Sequence, residues 1–536
     1  MSPASNDPKC DISSLSGKRI VITANELESK EHRGISAYTK SLIKVLSDNG
    51  CEVWLLTEFF PTKQSVKFKN INSNFIHLAY LLEFLARGNI LENRLKTEFF
   101  KFIPFIKTIA KLRLIIKHYI LCLRLRVYPR RKLFYINNNQ YHSAYLKLNR
   151  LTYLNSIEGF ICARRIYYSS KIKSKLGFIS PVKIDLKGFD AFITTSPLNI
   201  RPLNVDTYIQ SIHDLIPVEY EPNSFQGRIF RNTLLESLNS KRIYVSNTTK
   251  KKFKEVIKSN TTEDSSKTHE SIVLQVPTLD INEDKNYNYY LQNCFKNKYG
   301  LKPLKYILFN ASIDARKNLS FLIESYIESN IHEKDIKLVI VGMFNNNSES
   351  KKSISLINEL NSRYNFITDD IKEEDKELQK PLSNRDFSLI SKIHIHYQNR
   401  IIATGYIDDE EKTILYLNAL AMVNPSLIEG LGLPVLDSAC LGLKSIVSDC
   451  DSHKEISSLY DFSDYLGLKN ILRKQDWINS LISLAEQSFD SSISEDNSQL
   501  QSIRKTIKSR IDRYLSIKEI ITNKCMKSIS SLFHIK

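Results

Sequence analysis

NPSLIEGLGLPVLDSACLG, residues 424–442, is the stretch on which the fold turns. A short apolar run, LAMVNP (420–425), leads into it, and another, KSIVSD (444–449), follows. Gly430 and Gly432 let the backbone turn sharply and approach a ligand closely. A helix is predicted from about Leu433, with Pro434 in its first turn, where a missing N–H costs nothing. Strand, glycine turn, helix and strand make one step of a parallel sheet with covered faces. Free N–H groups at such a helix start form an anion site. Glu429 stands just before the turn and Asp437 lies further along the helix. Carboxylates suit a phosphate poorly, but they accept hydrogen bonds from sugar or ribose hydroxyls. A plain strand–turn–helix with a capping acid uses the same residues, so the rest of the chain must decide.

Working outward, the same alternation recurs on both sides. Towards the N-terminus of the segment come KYILFN (305–310), a helix over 318–329, KLVIVG (337–342), a polar insertion to about 395, RIIATG (400–405) and a helix over 409–417. A separate series opens the chain: KRIVIT (18–23), Gly34, a helix over 35–48 stopped by Gly50, then EVWLLT (52–57). It resumes with AFITTS (191–196), TYIQSIHD (207–214) and RIYVSN (242–247). The polar stretch 260–289, with SIVLQVP (271–277) inside it, separates the blocks. Two blocks of strand–helix alternation imply two doubly wound α/β domains, 17–275 and 276–500, with ligands at strand carboxyl ends in a cleft between them. Residues of about 75–180 read as a basic, helical insertion, and 503–536 as a long C-terminal helix expected to pack back on the first domain.

The 536 residues are 42% hydrophobic and 25% charged, an ordinary globular balance. Eight scattered cysteines, at 10, 51, 122, 162, 294, 440, 450 and 525, form no CxxC pair, which fits a reducing compartment. The start, MSPASNDPKCDISS, has no apolar signal-like run, and no stretch is apolar enough to cross a membrane. These readings predict a cytoplasmic protein. A formal net charge of +18 points to an anionic partner: a phosphorylated substrate, a membrane surface or nucleic acid. No nucleic-acid-binding module is recognisable, so that class is set aside.

The 424–442 segment resembles the signature PS-x-x-EGFGLP-x-LEA of the family-four glycosyltransferases, retaining enzymes of GT-B fold. Pro425, Ser426, Glu429, Gly430, Gly432, Leu433, Pro434 and Leu436 match; Leu431 replaces an aromatic, and Asp437 replaces the second glutamate. Further segments match in order. RGISAYTKSLIKVLSDNGCEV (33–53) resembles the first glycine loop, IHDLIPVEY (212–220) the HD-x-x-P loop, and IYVSNTTKKKF (243–253) the VS-x-x-T segment. FNASIDARKNLSFLIESY (309–326) resembles the diphosphate-binding RKN segment, ATGYIDDEEKTILYLNALAMVNPS (403–426) the lead into the acidic motif, and SDCDSHKEI (448–456) the closing segment.

The resemblance implies a GT-B fold and a nucleotide-diphosphate sugar as donor substrate. It implies catalytic roles for Glu429 at the donor sugar, for Lys317 and Arg316 at the diphosphate, and for His213 near the sugar. It implies donor contacts from Gly34, Ser312, Tyr406, Gly430, Leu431, Gly432, Leu433 and Asp437, with Asp437 on the ribose. Many relatives carry an arginine at the position of Ser312. Asp is one methylene shorter than Glu, which removes roughly an ångström of reach. These departures keep open an alternative, a glycosyltransferase-like binding protein without activity. The HDLIP and RKN variants are similar to those of mannosyltransferases.

No metal cofactor is expected. Asp449-Cys450-Asp451 is a DxD, but it ends a strand in the second domain, and His394 and His396 share a strand face without a third ligand. From Phe99 to Ile157 there is no Asp or Glu. Within it, residues 102–126 carry an apolar stripe of Phe102, Phe105, Ile109, Leu112, Ile116, Ile120 and Leu123, flanked by Lys107, Lys111, Arg113, Lys117 and Arg124. Such a helix can lie on an anionic membrane, as suits a saccharide or lipid-linked acceptor, or pack on the first domain.

Overall fold

The computed structural model of the chain describes residues 15–29, 32, 34–61, 73–87, 116, 120, 127–138, 149–177, 180–219, 224–258, 270–281, 299–365, 399–489 and 497–533. The chain divides into two compact units, Met1–Val276 with Ile521–Lys536, and Pro277–Ile520. Both are α/β, and each is built on a parallel sheet of Rossmann-like order.

The first unit contains β1 (Arg19–Thr23), β2 (Glu52–Thr57), β3 (Val127–Tyr128), β4 (Phe134–Asn137), β5 (Gly159–Cys162), β6 (Val182–Asp185), β7 (Ala191–Thr194), β8 (Ile200–Leu203), β9 (Thr207–Ile212), β10 (Lys241–Tyr244) and β11 (Ser271–Val273). Eight of them form one sheet in the order β11-β10-β9-β7-β1-β2-β5-β4, parallel except for β4 at the edge. The chain grows outward from β1 through β2 to β5, then returns and grows the other way from β7. β3, β6 and β8 form a small parallel sheet. The strands are runs such as IVIT and AFIT with almost every residue buried. That is what a parallel sheet covered on both faces requires.

The second unit contains β12 (Tyr306–Asn310), β13 (Lys337–Val341), β14 (Ile401–Gly405), β15 (Ala421–Asn424), β16 (Ser445–Ser448) and β17 (Leu466–Lys469). All pair in parallel in the order β14-β13-β12-β15-β16-β17. Its core joins Phe309, Ile340 and Val423 of the strands to Leu322, Tyr326, Ile357, Trp477 and Leu481 of the helices. Burying each such side chain stabilises the fold by roughly 1.5–3 kcal/mol before conformational entropy is subtracted.

The predicted strands are found within two residues of their expected ends, except that RIYVSN stops three residues early at Tyr244 and that in SIVLQVP β11 takes only the first three residues. Two expectations need correction. The interval 75–180 is not helical throughout: β5 is part of the main sheet, paired with β2 along Trp54–Thr57, and β4 pairs with β5. GFIC is four residues, all buried, so it shows neither alternation nor a helical period. The expected series also stopped at KSIVSD, whereas β17 and the helix Lys474–Phe489 follow it. The C-terminal helix is Asn497–Ser531. Of the basic stretch 102–126, only Ile116 and Ile120 fall within the described residues, and both are exposed. No helix among the described residues is long and apolar enough to cross a membrane.

Gly342, just after β13, lets that strand's end pass the loop that follows β12. A Cβ there would lie 2.0 Å from the carbonyl oxygen of Ala311. Gly342→Ala is therefore expected to cost about 1–3 kcal/mol through backbone displacement. Gly17→Ala, in open space at φ +75°, should cost only about 1 kcal/mol of conformational strain. Denaturation midpoints of the two variants check this, and equal shifts would contradict it.

Candidate functional site

β12 and β15 are neighbours at the place where the second sheet reverses its order of growth. In open parallel sheets the crevice beyond the carboxyl ends of such strands is where ligands bind. The loop after β12 runs through Asp314 into a tight turn, Ala315–Lys317. Asn318, in the left-handed region at φ 55°, ends that turn and starts the helix Leu319–Glu328. Asn tolerates this conformation better than most residues. The loop after β15 ends at Gly432, at φ +89°, where the helix Leu433–Cys440 begins with Pro434 in its first turn. The two loops are tied together by a hydrogen bond from Leu427 N to Arg316 O, 2.7 Å.

Lys317 and Glu429 meet across this junction. Lys317 is 7% exposed and Glu429 8%. The Lys317 Nζ donates to Glu429 Oε1, and Arg316 Nη1 stands 3.7 Å from Oε2. Burial pushes the Glu429 carboxyl up, but Lys317, Arg316 and then His453 outweigh it and hold it below its usual value. Arg316 is shared with Asp314, its Nε 3.2 Å from Oδ1. Ser312 donates to the other oxygen of Asp314 at 3.0 Å. Two cations thus flank one ionised carboxylate. Breaking such a pair from one side leaves an uncompensated buried charge.

Asp437 is 3% exposed, four residues into the following helix. Its Oδ1 accepts from the backbone N–H of Thr278 at 2.6 Å, and its Oδ2 from the Thr278 hydroxyl. Burial raises its carboxyl, against the lowering effect of Lys412 and of both Thr278 hydrogen bonds. Tyr406, after β14, is 44% exposed. Leu431 is buried; Gly430 and Leu433 are half-buried.

The first unit has a corresponding junction between β1 and β7. Thr195 N donates to the Thr23 hydroxyl at 3.1 Å. His213, just past β9, places Nε2 2.7 Å from Thr195 O and stands edge-on to Tyr38 at 4.7 Å. A carbonyl only accepts, so Nε2 carries the proton and Nδ1 the lone pair. Burial lowers the imidazole to about 4, against the raising effect of the Thr195 carbonyl. Gly34 is the first residue of the helix Gly34–Asp48.

Among the described residues no group of three or more His, Cys, Asp or Glu could hold a metal ion. Asp449 is tied by its backbone N–H to Lys469 O, and Asp451 begins the helix Asp451–Ser457; His394 and His396 lie outside the described residues.

Sequence reading missed the residues that support this site. Thr278 carries no local signal. Lys412 reads as a solvated helix lysine, yet Asp409 and Asp437 raise it despite burial. Ser448, Ser452 and His453 sit in a quoted segment but have no expected role there.

No family model matches the chain, and no curated protein does. Among solved structures it is similar to a sucrose-phosphate synthase from Thermosynechococcus elongatus, 12% identical, covering 96% of this chain and 99% of that one, TM-score 0.48. It is similar to the N-terminal domain of a Candida albicans trehalose-6-phosphate phosphatase, 11% identical, over 96% and 99%, TM-score 0.49. A trehalose-6-phosphate synthase is 10% identical over 97% and 100%, TM-score 0.45.

Two pH effects are expected. A carboxyl held below its usual value adds stability above the carboxylate range and loses it as pH falls through the folded value. Lys317→Met removes the largest lowering influence on Glu429. The variant should be destabilised by about 3–5 kcal/mol at neutral pH, and its deficit should shrink as pH falls towards about 4. A deficit independent of pH would contradict the pairing. His213 is depressed from about 6.5 unfolded to about 4 folded. Between these values only the unfolded state binds the proton, so the His213 contribution raises stability with pH across that window. Urea titrations should show that His213→Gln flattens this slope. An unchanged slope would place the imidazole outside the buried setting.

Proposed function

We propose that this chain is a retaining glycosyltransferase, moving a hexose from a nucleotide-diphosphate sugar to a saccharide or lipid-linked acceptor in cell-surface polysaccharide or glycan biosynthesis. The observation that carries the reading is the Lys317–Glu429 pair at the β12/β15 junction, beside the start of the helix Leu433–Cys440. Transfer leaves a diphosphate with developing negative charge. Lys317, Arg316 and the helix N–H groups supply positive potential for it, the contribution that usually weighs most in such catalysis. Glu429, kept ionised, accepts hydroxyls of the transferred sugar. The resemblance gives Asp437 to the ribose, although Thr278 already engages both of its oxygens, and Tyr406 offers an exposed ring for the base. With these cations present, the reading needs no metal to neutralise the leaving group.

Retention, the mannosyl preference and the roles of Gly34, Ser312 and His213 rest on the sequence resemblance alone. Work at the inner face of a membrane rests on the +18 charge and the composition of 102–126.

A panel of UDP-glucose, UDP-N-acetylglucosamine, GDP-mannose and ADP-glucose tests the reading. One of them should raise the melting temperature and be hydrolysed slowly without acceptor. Lys317→Ala should lower turnover by about 10²-fold or more. Glu429→Gln should reduce kcat more than Asp437→Asn does, because binding at the reacting centre appears in kcat. Binding without any turnover would favour the inactive alternative, and no binding by any of the four would sink both.

A further inference from the structure

The loop that carries Glu429 is held from beneath by the one that follows β16. The Ser452 hydroxyl donates to Glu429 O at 2.7 Å and reaches Gly430 O at 3.2 Å. The Ser448 hydroxyl donates to Ser426 O. His453 Nδ1 lies 3.0 Å from Ser448 O, which fixes the proton on Nδ1, and 3.1 Å from the Ser448 hydroxyl. The other edge of its ring packs under Gly432, where an added Cβ would come 3.1 Å from Cδ2 and Nε2. Ser426, Ser448, Ser452 and His453 are all buried. The backbone of 426–432 is therefore gripped at Ser426, Glu429, Gly430 and Gly432, while Leu427 N ties it to the Arg316 carbonyl on the other side.

None of these hydrogen bonds is made to the Glu429 carboxylate or to Lys317, which His453 reaches only electrostatically. They set where the carboxylate stands. From this geometry we infer that Ser452, with Ser448 and His453 behind it, is a positioning residue that holds Glu429 in register with Lys317 and with the donor sugar. The inference rests on the proposed function for the identity of the reaction. Removing the Ser452 hydroxyl takes a buried donor away from the Glu429 carbonyl and frees the loop to shift. Misplacing a reacting group by about 1 Å can cost about 10²-fold in rate.

The test measures hydrolysis of the same four nucleotide sugars. Ser452→Ala should lower kcat by about 10- to 100-fold and leave the donor KM within about twofold. Ser452→Thr, which keeps the hydroxyl, should recover most of the loss. In a Glu429→Gln background Ser452→Ala should add little, because residues acting as one unit are not additive. Where Ser452→Ala does not fold, Ser448→Ala carries the same expectation. Undiminished kcat in a folded Ser452→Ala protein overturns the inference. A loss confined to KM, full multiplication of the two losses, or failure of both alanine variants to fold does so too. An indifferent Ser452→Ala beside a damaged Glu429→Gln sinks this inference alone. A fully active Glu429→Gln protein sinks the proposed function with it.

Discussion

The buried ion pair between Lys317 and Glu429 constrains everything around it. Neither partner tolerates burial alone: an uncompensated charge in this setting costs several kcal/mol. Each is therefore supplied by a loop that has to arrive at one place. Lys317 comes from the turn after β12 and Glu429 from the turn after β15, and the strands behind those turns are neighbours only because the sheet reverses its order there. The pairing and the sheet topology depend on each other.

Around this pair most polar groups have partners, although the buried Asp314 Oδ1 has the nearby Arg316 charge and no hydrogen bond. Arg316 divides between Glu429 and Asp314, Ser312 takes the remaining Asp314 oxygen, and Asp437 is met by both donors of Thr278. A carboxylate accepts only, so each acid finds donors, and the backbone carbonyls of the acid loop find hydroxyls. A site that stabilises charge gains from such preorganisation, because its dipoles need not turn when the charge develops. The chemistry is thus concentrated in short loops on a rigid sheet, where a ligand meets groups already oriented.

Most strands of the two larger sheets were legible because parallel strands are near-continuous apolar runs, and AFIT or KLVIV announces itself without neighbours; β17 and the strands of the small sheet were not foreseen. β5 was not, since GFIC lacks the length for any period, and β4 became a strand only by pairing with it. At the site, Glu429 was legible through its glycine turn and the helix start that follows, which are local features, whereas Lys317 and Arg316 were singled out through the family resemblance. Thr278 was not: it lies 159 positions from Asp437, and only the fold brings them together. Ser452 and His453 were hidden differently, because a serine and a histidine at a helix start read as ordinary caps. Their partners, the carbonyls of Glu429 and Gly430 and the face of Gly432, are backbone atoms that no sequence pattern displays.

The most direct test is a double-mutant cycle on the pair. The stabilities of Lys317→Met, Glu429→Gln and the double variant are measured at neutral pH against the parent. The account predicts that the double variant loses far less than the sum of the singles, with a coupling of at least about 1.5 kcal/mol, as for charges in direct contact. Additivity within about 0.5 kcal/mol would mean that the two side chains do not meet. The junction of β12 and β15 would then hold no ion pair on which a site could be built.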